Sequence, residues 1–367
     1  MKTGSVAALS ALVAVASALS HDGMSSHGPA RLDKRCSATI SSLDDVSEAI
    51  KCTTININEF TVPAGKTFEL KLKEGTVVNV RGDITFGTKN WAGPLVEVSG
   101  TDITFNGNGY KWDGNGAYYW DGKGSNGGVT KPKFFKVKFS GQMSDVYLYN
   151  QPVQGFSVSN PAKLVMDGIT VDVEAGASKG HNTDAFDVSS SKYLTIQNSN
   201  IYNQDDCIAI NDAENLTFQN NYCSGGHGIS IGSIKTGKNV DGVTIKGNTV
   251  VDSQQGLRIK TYSGAEDASV SNVVYDGNTV TNASKYGVVI QQDYTNEGAT
   301  GKATAGVPIK NVRFSGSTST VEVGSKAQRV YVLCAKNSCS GFDFSKLKTS
   351  GGSAGSATNV QISGYSI

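Results

Sequence analysis

Short runs of alternating apolar and polar residues recur along the chain, each closed by a small polar turn and followed by a second short run. Leu164-Val165-Met166-Asp167-Gly168-Ile169-Thr170-Val171 is echoed by Leu194-Thr195-Ile196-Gln197-Asn198-Ser199-Asn200-Ile201 and by Leu216-Thr217-Phe218-Gln219-Asn220-Asn221-Tyr222-Cys223. Val243 to Val250, Val273 to Val280 and Val312 to Ser317 continue the series, with starts 30, 22, 27, 30 and 39 residues apart. Alternation with period two is the signature of a half-buried strand, and repetition at 20–30 residues is that of a solenoid. One strand stacked per turn gives a parallel β-helix. Ile196, Phe218, Ile245 and Tyr275 would then form an inward apolar ladder, and Asn221, Asn248 and Asn278 a hydrogen-bonded ladder at matching turns.

A propeller also repeats, but its blades need about 40–50 residues, and the interval from Leu194 to Leu216 is too short. At about 25–30 residues per coil, residues 36–367 make ten to twelve coils in a single domain. Helical periodicity is weak, and the best candidate is Ser42 to Ile50, where Leu43, Val46 and Ile50 share a face. That helix would cap one end. The Gly/Ser-rich tail after Gly351 is expected to pack weakly.

The N-terminus changes where the fold starts. Lys2, an apolar run from Val6 to Leu19 and Ala16-Ser17-Ala18 read as a secretory signal peptide over residues 1–18. Residues 19–35 end in Lys34-Arg35 and read as a pro-peptide with dibasic processing. Removing Lys2, Arg31, Lys34 and Arg35 with Asp22 and Asp33 from 33 basic and 32 acidic residues leaves 29 and 30. A net charge of −1 names no polyanionic partner, so affinity for an acidic ligand must come from a local cluster.

Six cysteines, Cys36, Cys52, Cys207, Cys223, Cys334 and Cys339, form an even set in a secreted chain and point to disulfides. Fifteen pairings exist, and pairing of sequence neighbours is the simplest. Their spacing does not resemble a zinc site. Asn215-Leu216-Thr217 and Asn282-Ala283-Ser284 are candidate glycosylation acceptors.

The candidate chemistry falls on the repeat. Asn182-Thr183-Asp184, Asp205-Asp206, Gly226-His227-Gly228 and Arg258-Ile259-Lys260 each open a strand on four successive coils. Taken singly, each is ordinary: Asp is a turn former, and Arg258 and Lys260 alternate with apolar neighbours as outward strand charges. Stacked about 4.8 Å apart, they make one strip of three carboxylates, an imidazole and two cations. Clustered carboxylates drive one another's pKa values apart, which suits acid and base work on a glycosidic bond. One tension stands: by strand parity Asp184 and Asp206 share phase with the inward residues Phe186 and Ile208. Both reach solvent only from a turn preceding the strand.

In these four segments the chain resembles the polygalacturonases, pectin-degrading glycoside hydrolases. Asp121-Gly122-Lys123-Gly124, Cys223-Ser224-Gly225-Gly226-His227-Gly228 and Gln292-Asp293-Tyr294 resemble the secreted fungal endopolygalacturonases in particular. The resemblance runs from about Cys36 to Phe344. It implies an all-β, right-handed parallel β-helix and hydrolysis of α-1,4-galacturonosyl linkages without metal or cofactor. By resemblance, Asp205 is the general acid, Asp184 and Asp206 activate water, and His227 holds or orients the acid. Arg258 and Lys260, with Tyr294, grip a substrate carboxylate, and Asn182 positions substrate or water. A monomer is expected, with plant polygalacturonase-inhibiting proteins as a partner beside pectin. The fungal enzymes carry a further C-terminal cysteine pair that residues 345–367 lack, which bears on the tail and not on the site.

A water between acid and base gives inversion, whereas a retaining enzyme needs a nucleophile against the anomeric carbon. Inversion is the expectation here. No long insertion interrupts Val240 to Val330, which favours an open groove and internal cleavage. The rivals are an exo-acting or rhamnogalacturonan-type hydrolase, a Ca²⁺-dependent pectate lyase, and a non-catalytic β-solenoid binding protein.

Overall fold

The computed structural model describes residues 36–367. The expected signal peptide at 1–18 and pro-peptide at 19–35 lie outside the described residues.

All the strand pairings are parallel, and they stack into three columns. One register position of the third column runs through Phe68, Val96, Phe135, Phe156, Phe186, Ile208, Ile229, Leu257, Val288, Val330 and Gly355, eleven rungs in order. This is a parallel β-helix, and its rung count falls within the expected ten to twelve coils. Every one of these side chains before the terminal glycine is buried. Phe135, Phe156 and Phe186 stack with ring centroids 5.4 and 5.3 Å apart. The first column carries the expected ladder, Ile196 opposite Phe218, Ile245 and Tyr275.

Parallel coils must turn three times per rung, and each turn has backbone groups to satisfy. Buried asparagines do this at one corner. Asn221 Nδ2 donates to Asn248 Oδ1 at 3.1 Å, and Asn248 Nδ2 to Asn278 Oδ1 at 3.0 Å. The same side chains donate inward to the carbonyls of Ile196, Phe218 and Ile245. Ser199 and Ser319 extend the ladder at its two ends.

The N-terminal cap is shorter than the periodicity suggests: a 3-10 turn over Leu43–Asp45 leads into an α-helix over Val46–Ala49. Asp45 accepts from the N–H and hydroxyl of Ser41 and Ser42, respectively, which ties down the entry turn. Leu43, Val46 and Ile50 pack on the core as the shared face requires. Disulfides join Cys36 to Cys52, Cys207 to Cys223 and Cys334 to Cys339. The tail closes the last coil: Leu347–Thr358 pairs with Ser319–Leu333, and Ile362–Ser363 with Phe342–Asp343. Its residues are mostly exposed, since nothing stacks on the outer edge.

Candidate functional site

The third column's strands are short where the chemistry sits: Phe186–Val188, Ile208–Ile210, then Ile229–Ile234 and Gln255–Tyr262. Asp184 and Asp205-Asp206 precede the first two strands, in irregular backbone. That resolves the parity tension, because the side chains leave from the turn and not from the pleat. Buried amides hold these turns. Gln151 Nε2 donates to the carbonyls of Thr183 and Asp184, and Asn203 Nδ2 to those of Thr183 and Asp206. Gln204 Nε2 donates to the Val173 carbonyl, and its backbone N–H to Thr183 Oγ1. The disulfide from Cys207 to Cys223 anchors the residue after Asp206 in the core.

Gly226 and Gly228 flank His227 for steric reasons. A Cβ on Gly226 would stand 2.1 Å from the Asp205 carbonyl oxygen. Gly228 has φ +79, and its Cβ would meet the Gln255 carbonyl at 2.1 Å. With both absent, the His227 N–H donates to the Asp205 carbonyl at 2.8 Å, and the imidazole reaches the Asp205 side chain.

Asp205 is the most bonded acid of the cleft. Its Oδ1 lies 2.9 Å from His227 Nδ1 and accepts the Asp206 N–H at 2.8 Å. Its Oδ2 accepts from Asn182 Nδ2 at 3.2 Å. Asn182 is left-handed, φ 53, and its own Oδ1 accepts from the N–H and hydroxyl of Ser125. Asn182 therefore orients an acid in the free cleft. Asp206 accepts from Ser230 Oγ at 2.6 Å and from Lys260 Nζ at 2.7 Å, with Arg258 NH1 3.7 Å away. The Tyr294 ring faces both cations, 5.3 Å from Arg258 Cζ and 5.0 Å from Lys260 Nζ. All eight expected site residues line one cleft of about 440 Å³.

The carboxyls divide electrostatically. Burial pushes Asp184 well above the usual carboxylate range, and the charges of Asp205, Asp187 and Asp206 push the same way. Burial also pushes Asp205 up, but the hydrogen bond and charge of His227, Lys260 and the Asp206 N–H together hold it low. Of these two carboxyls, Asp184 is the one whose protonated form the cleft favours. At Asp205 the imidazole at 2.9 Å, with Lys260 and the Asp206 N–H, outweighs burial.

Asp187 was missed by the motif reading. It is raised to about 6 by burial first, against Lys133, with Asp206 and Asp205 adding to the rise. Strand parity carried the signal, since it points outward between Phe186 and Val188. Ser230 and Ser125 were missed too, and a single serine gives no sequence signal.

Asp205, Asp206 and His227 bring potential ligand atoms within 4.8 Å of one another. Calcium wants six to eight oxygen ligands, whereas this trio offers a nitrogen and already faces the Lys260 ammonium. The donor set does not suit the Ca²⁺ site of a lyase.

The family model described as Glycosyl hydrolases family 28 matches residues 52–366. The chain belongs to that family. Among relatives of this family 28 chain, Endopolygalacturonase B of Aspergillus niger is 45% identical over 343 residues, covering 92% of this chain and 94% of the relative. The Polygalacturonase of Cochliobolus carbonum is 47% identical over 350 residues, with the same coverage. Among solved structures, endopolygalacturonase I from Stereum purpureum, complexed with two galacturonates, superposes with a TM-score of 0.85 at 48% identity. It covers 89% of this chain and 98% of its own. Endo-xylogalacturonan hydrolase from Aspergillus tubingensis, 23% identical with a TM-score of 0.65, shares the fold.

Proposed function

We propose that the chain is an endo-acting hydrolase of polygalacturonate that cleaves α-1,4-galacturonosyl linkages with inversion. One observation carries the reading: Asp184, Asp205, Asp206, His227, Arg258 and Lys260, from four coils, converge in a single cleft. Family membership and relatives named for this activity support it.

Asp205 protonates the glycosidic oxygen, and the His227 imidazole beside it holds the protonation state of the carboxyl or orients it. Asp184 and Asp206 activate the attacking water, so acid and base flank it as inversion requires. Arg258 and Lys260, desolvated at the cleft floor, bind a uronate carboxylate next to the scissile bond. Tyr294 packs against both cations. The upward push on the Asp184 carboxyl favours a second assignment, with Asp184 as donor and Asp205 as base.

The protein acts outside the cell as a monomer, with pectin as its substrate and plant inhibitor proteins as a further partner. Supporting secretion, all six described cysteines are paired, and no described helix is long and apolar enough to cross a membrane. Asn215 and Asn282 are exposed, as glycan acceptors must be.

The deciding experiment is incubation with polygalacturonate and a chelator, following viscosity, reducing ends and unsaturated-product absorbance. A hydrolase of this kind drops viscosity early and yields reducing ends without the chromophore. A chromophore that returns only with added Ca²⁺ would make it a lyase. Reducing ends without early viscosity loss would make it exo-acting.

A further inference from the structure

Four Asn-Gly pairs stand in the chain: Asn106-Gly107, Asn108-Gly109, Asn115-Gly116 and Asn126-Gly127. In such a pair the glycine nitrogen can close a five-membered ring on the asparagine side-chain carbonyl, and glycine leaves the backbone free to bend into it. The fold removes that option from three of the four. The Gly107 N–H donates to the Ser144 carbonyl at 2.7 Å, the Gly109 N–H to that of Asp145 at 2.8 Å and the Gly116 N–H to that of Asn150 at 2.7 Å. Their asparagine amides are held as well. Asn106 Nδ2 donates to Asn79 Oδ1 at 2.9 Å, and Asn108 Nδ2 and Asn115 Nδ2 to the Val80 and Phe86 carbonyls at 2.8 Å.

Asn126-Gly127 is different. Among the described residues, no acceptor receives the Gly127 N–H, although the preceding N–H groups of Ser125 and Asn126 donate to Asn182 Oδ1 and the Lys123 carbonyl. The Asn126 amide has one long contact, from Nδ2 to His181 Nε2 at 3.5 Å. Both residues of the pair are exposed, and a Cβ on Gly127 would meet nothing nearer than Lys123 Cδ at 3.9 Å. The ring therefore has a free nucleophile, a loosely held amide and room to form. Its place in the molecule gives it a consequence. Asn126, His181 and Asn182 line the catalytic cleft, and Ser125 bonds the Asn182 that in turn bonds Asp205.

We propose that Asn126-Gly127 is a self-modification site, at which the folded protein converts Asn126 to aspartate and isoaspartate with time and loses activity as it does so. The Gly127 nitrogen gives its proton to water and bonds to Asn126 Cγ. The bond from Cγ to Nδ2 breaks, and ammonia leaves with a proton from water or from the adjacent His181 imidazole. Water then opens the cyclic imide at either carbonyl. One water enters and one ammonia leaves, with no oxidant or reductant. Either product adds a carboxylate to a cleft that already holds Asp184, Asp187, Asp205 and Asp206, facing an anionic substrate. Isoaspartate also lengthens the main chain by one carbon beside Ser125, which draws it off Asn182. The loss of activity rests on the polygalacturonate reading, and the modification itself does not.

The test incubates the full chain in warm, neutral buffer and follows it by peptide mapping and by its initial rate on polygalacturonate. A locked pair must first break its hydrogen bond to react, so Asn106, Asn108 and Asn115 convert at least about tenfold more slowly than Asn126. In the denatured chain that difference disappears, because the fold is its cause. Activity falls in step with conversion at Asn126. Asn126→Gln closes the ring poorly and Asn126→Ser has no amide, so each keeps its own starting rate through the incubation. Fresh Asn126→Asp protein has KM raised about threefold, as one like charge at an exposed site predicts. Conversion at Asn126 no faster than at the locked pairs, or a preference that persists in the denatured chain, overturns the site. Gln and Ser variants that lose activity as fast as wild type overturn its effect. If wild type releases no reducing ends, the functional reading fails, and the peptide map still decides the site.

Discussion

His227 Nδ1 lies 2.9 Å from Asp205 Oδ1, and an ionised carboxylate can only accept, so the imidazole nitrogen carries the hydrogen. The pair joins residues 22 apart through one rung of the coil. Replacing His227 with Ala removes the strongest influence lowering the Asp205 pKa and leaves burial opposed only by Lys260 and the Asp206 N–H. The Asp205 carboxyl then titrates at higher pH. If Asp205 is the donor, it must be protonated to act, so the alkaline limb of the kcat/KM profile moves up in pH. kcat itself falls, by about 10²-fold, through loss of orientation. An unshifted alkaline limb would remove Asp205 from the donor role.

The two assignments of donor and base part on leaving-group chemistry. An oligogalacturonide bearing a nitrophenol leaves without a proton, so it bypasses the general acid but still needs the base. With Asp205 as donor, Asp205→Asn loses about 10³-fold on polygalacturonate and far less on the nitrophenyl substrate. Asp184→Asn loses similarly on both. The opposite pattern would move the donor to Asp184, whose carboxyl burial and anionic neighbours push up.

Asp187 makes a prediction about stability with a definite sign. Its pKa is raised from an ordinary 3.8 to about 6 in the folded chain. The folded state therefore holds a proton that the unfolded chain has released, and stability falls as pH rises through that window. Asp187→Asn cannot ionise and escapes the loss. Its melting temperature matches wild type below about pH 4 and exceeds it above about pH 6, by on the order of 1–2 kcal/mol of stability. An advantage at low pH that fades on raising it would mean that the raised value is wrong in direction.

Lys260 is buried against Asp206, with side-chain exposures of 7% and 1%. Removing one member strands the other's charge in the cleft floor, at a cost of about 3 kcal/mol. Lys260→Met and Asp206→Asn should each lower the denaturant midpoint, and the double variant should recover much of the sum. Additive losses would show that the two charges are solvated independently.

The coil repeat was legible because each strand's apolar residues return at the same turn position. Leu164, Leu194, Leu216, Val243, Val273 and Val312 do share one register. The four site segments were legible for the same reason, since stacking converts an interval of one coil into adjacency. What escaped was set by side-chain reach. The direction of the Asp205 shift depends on where one imidazole points. The cap helix overran in the reading because Leu43, Val46 and Ile50 keep their face even when the first turn winds as 3-10.

Asp121 closes the loop that braces the acid from the far side of the cleft. Its carboxylate accepts from Lys131 Nζ at 2.9 Å and from the N–H groups of Lys123 and Val129. The loop between them carries Ser125 onto Asn182, which in turn bonds Asp205. The Lys131 bond comes first among the causes that hold the Asp121 pKa down at about 2, below an ordinary 3.8. A depressed acid contributes stability that is present above its unfolded pKa and lost as pH falls through the folded one. The contribution is therefore whole above about pH 4 and gone near pH 2. Asp121→Asn leaves the Lys131 ammonium, 2% exposed, without its counter-charge, at a cost on the order of 3 kcal/mol at neutral pH. Ser125 then loosens from Asn182, and kcat falls while KM for polygalacturonate changes little, because no loop cation touches the Arg258 site. The check is a pair of denaturation curves at pH 7 and pH 2, read beside the kinetics. A stability gap that persists at pH 2, or a kcat equal to wild type at pH 7, would detach this loop from the acid it is held against.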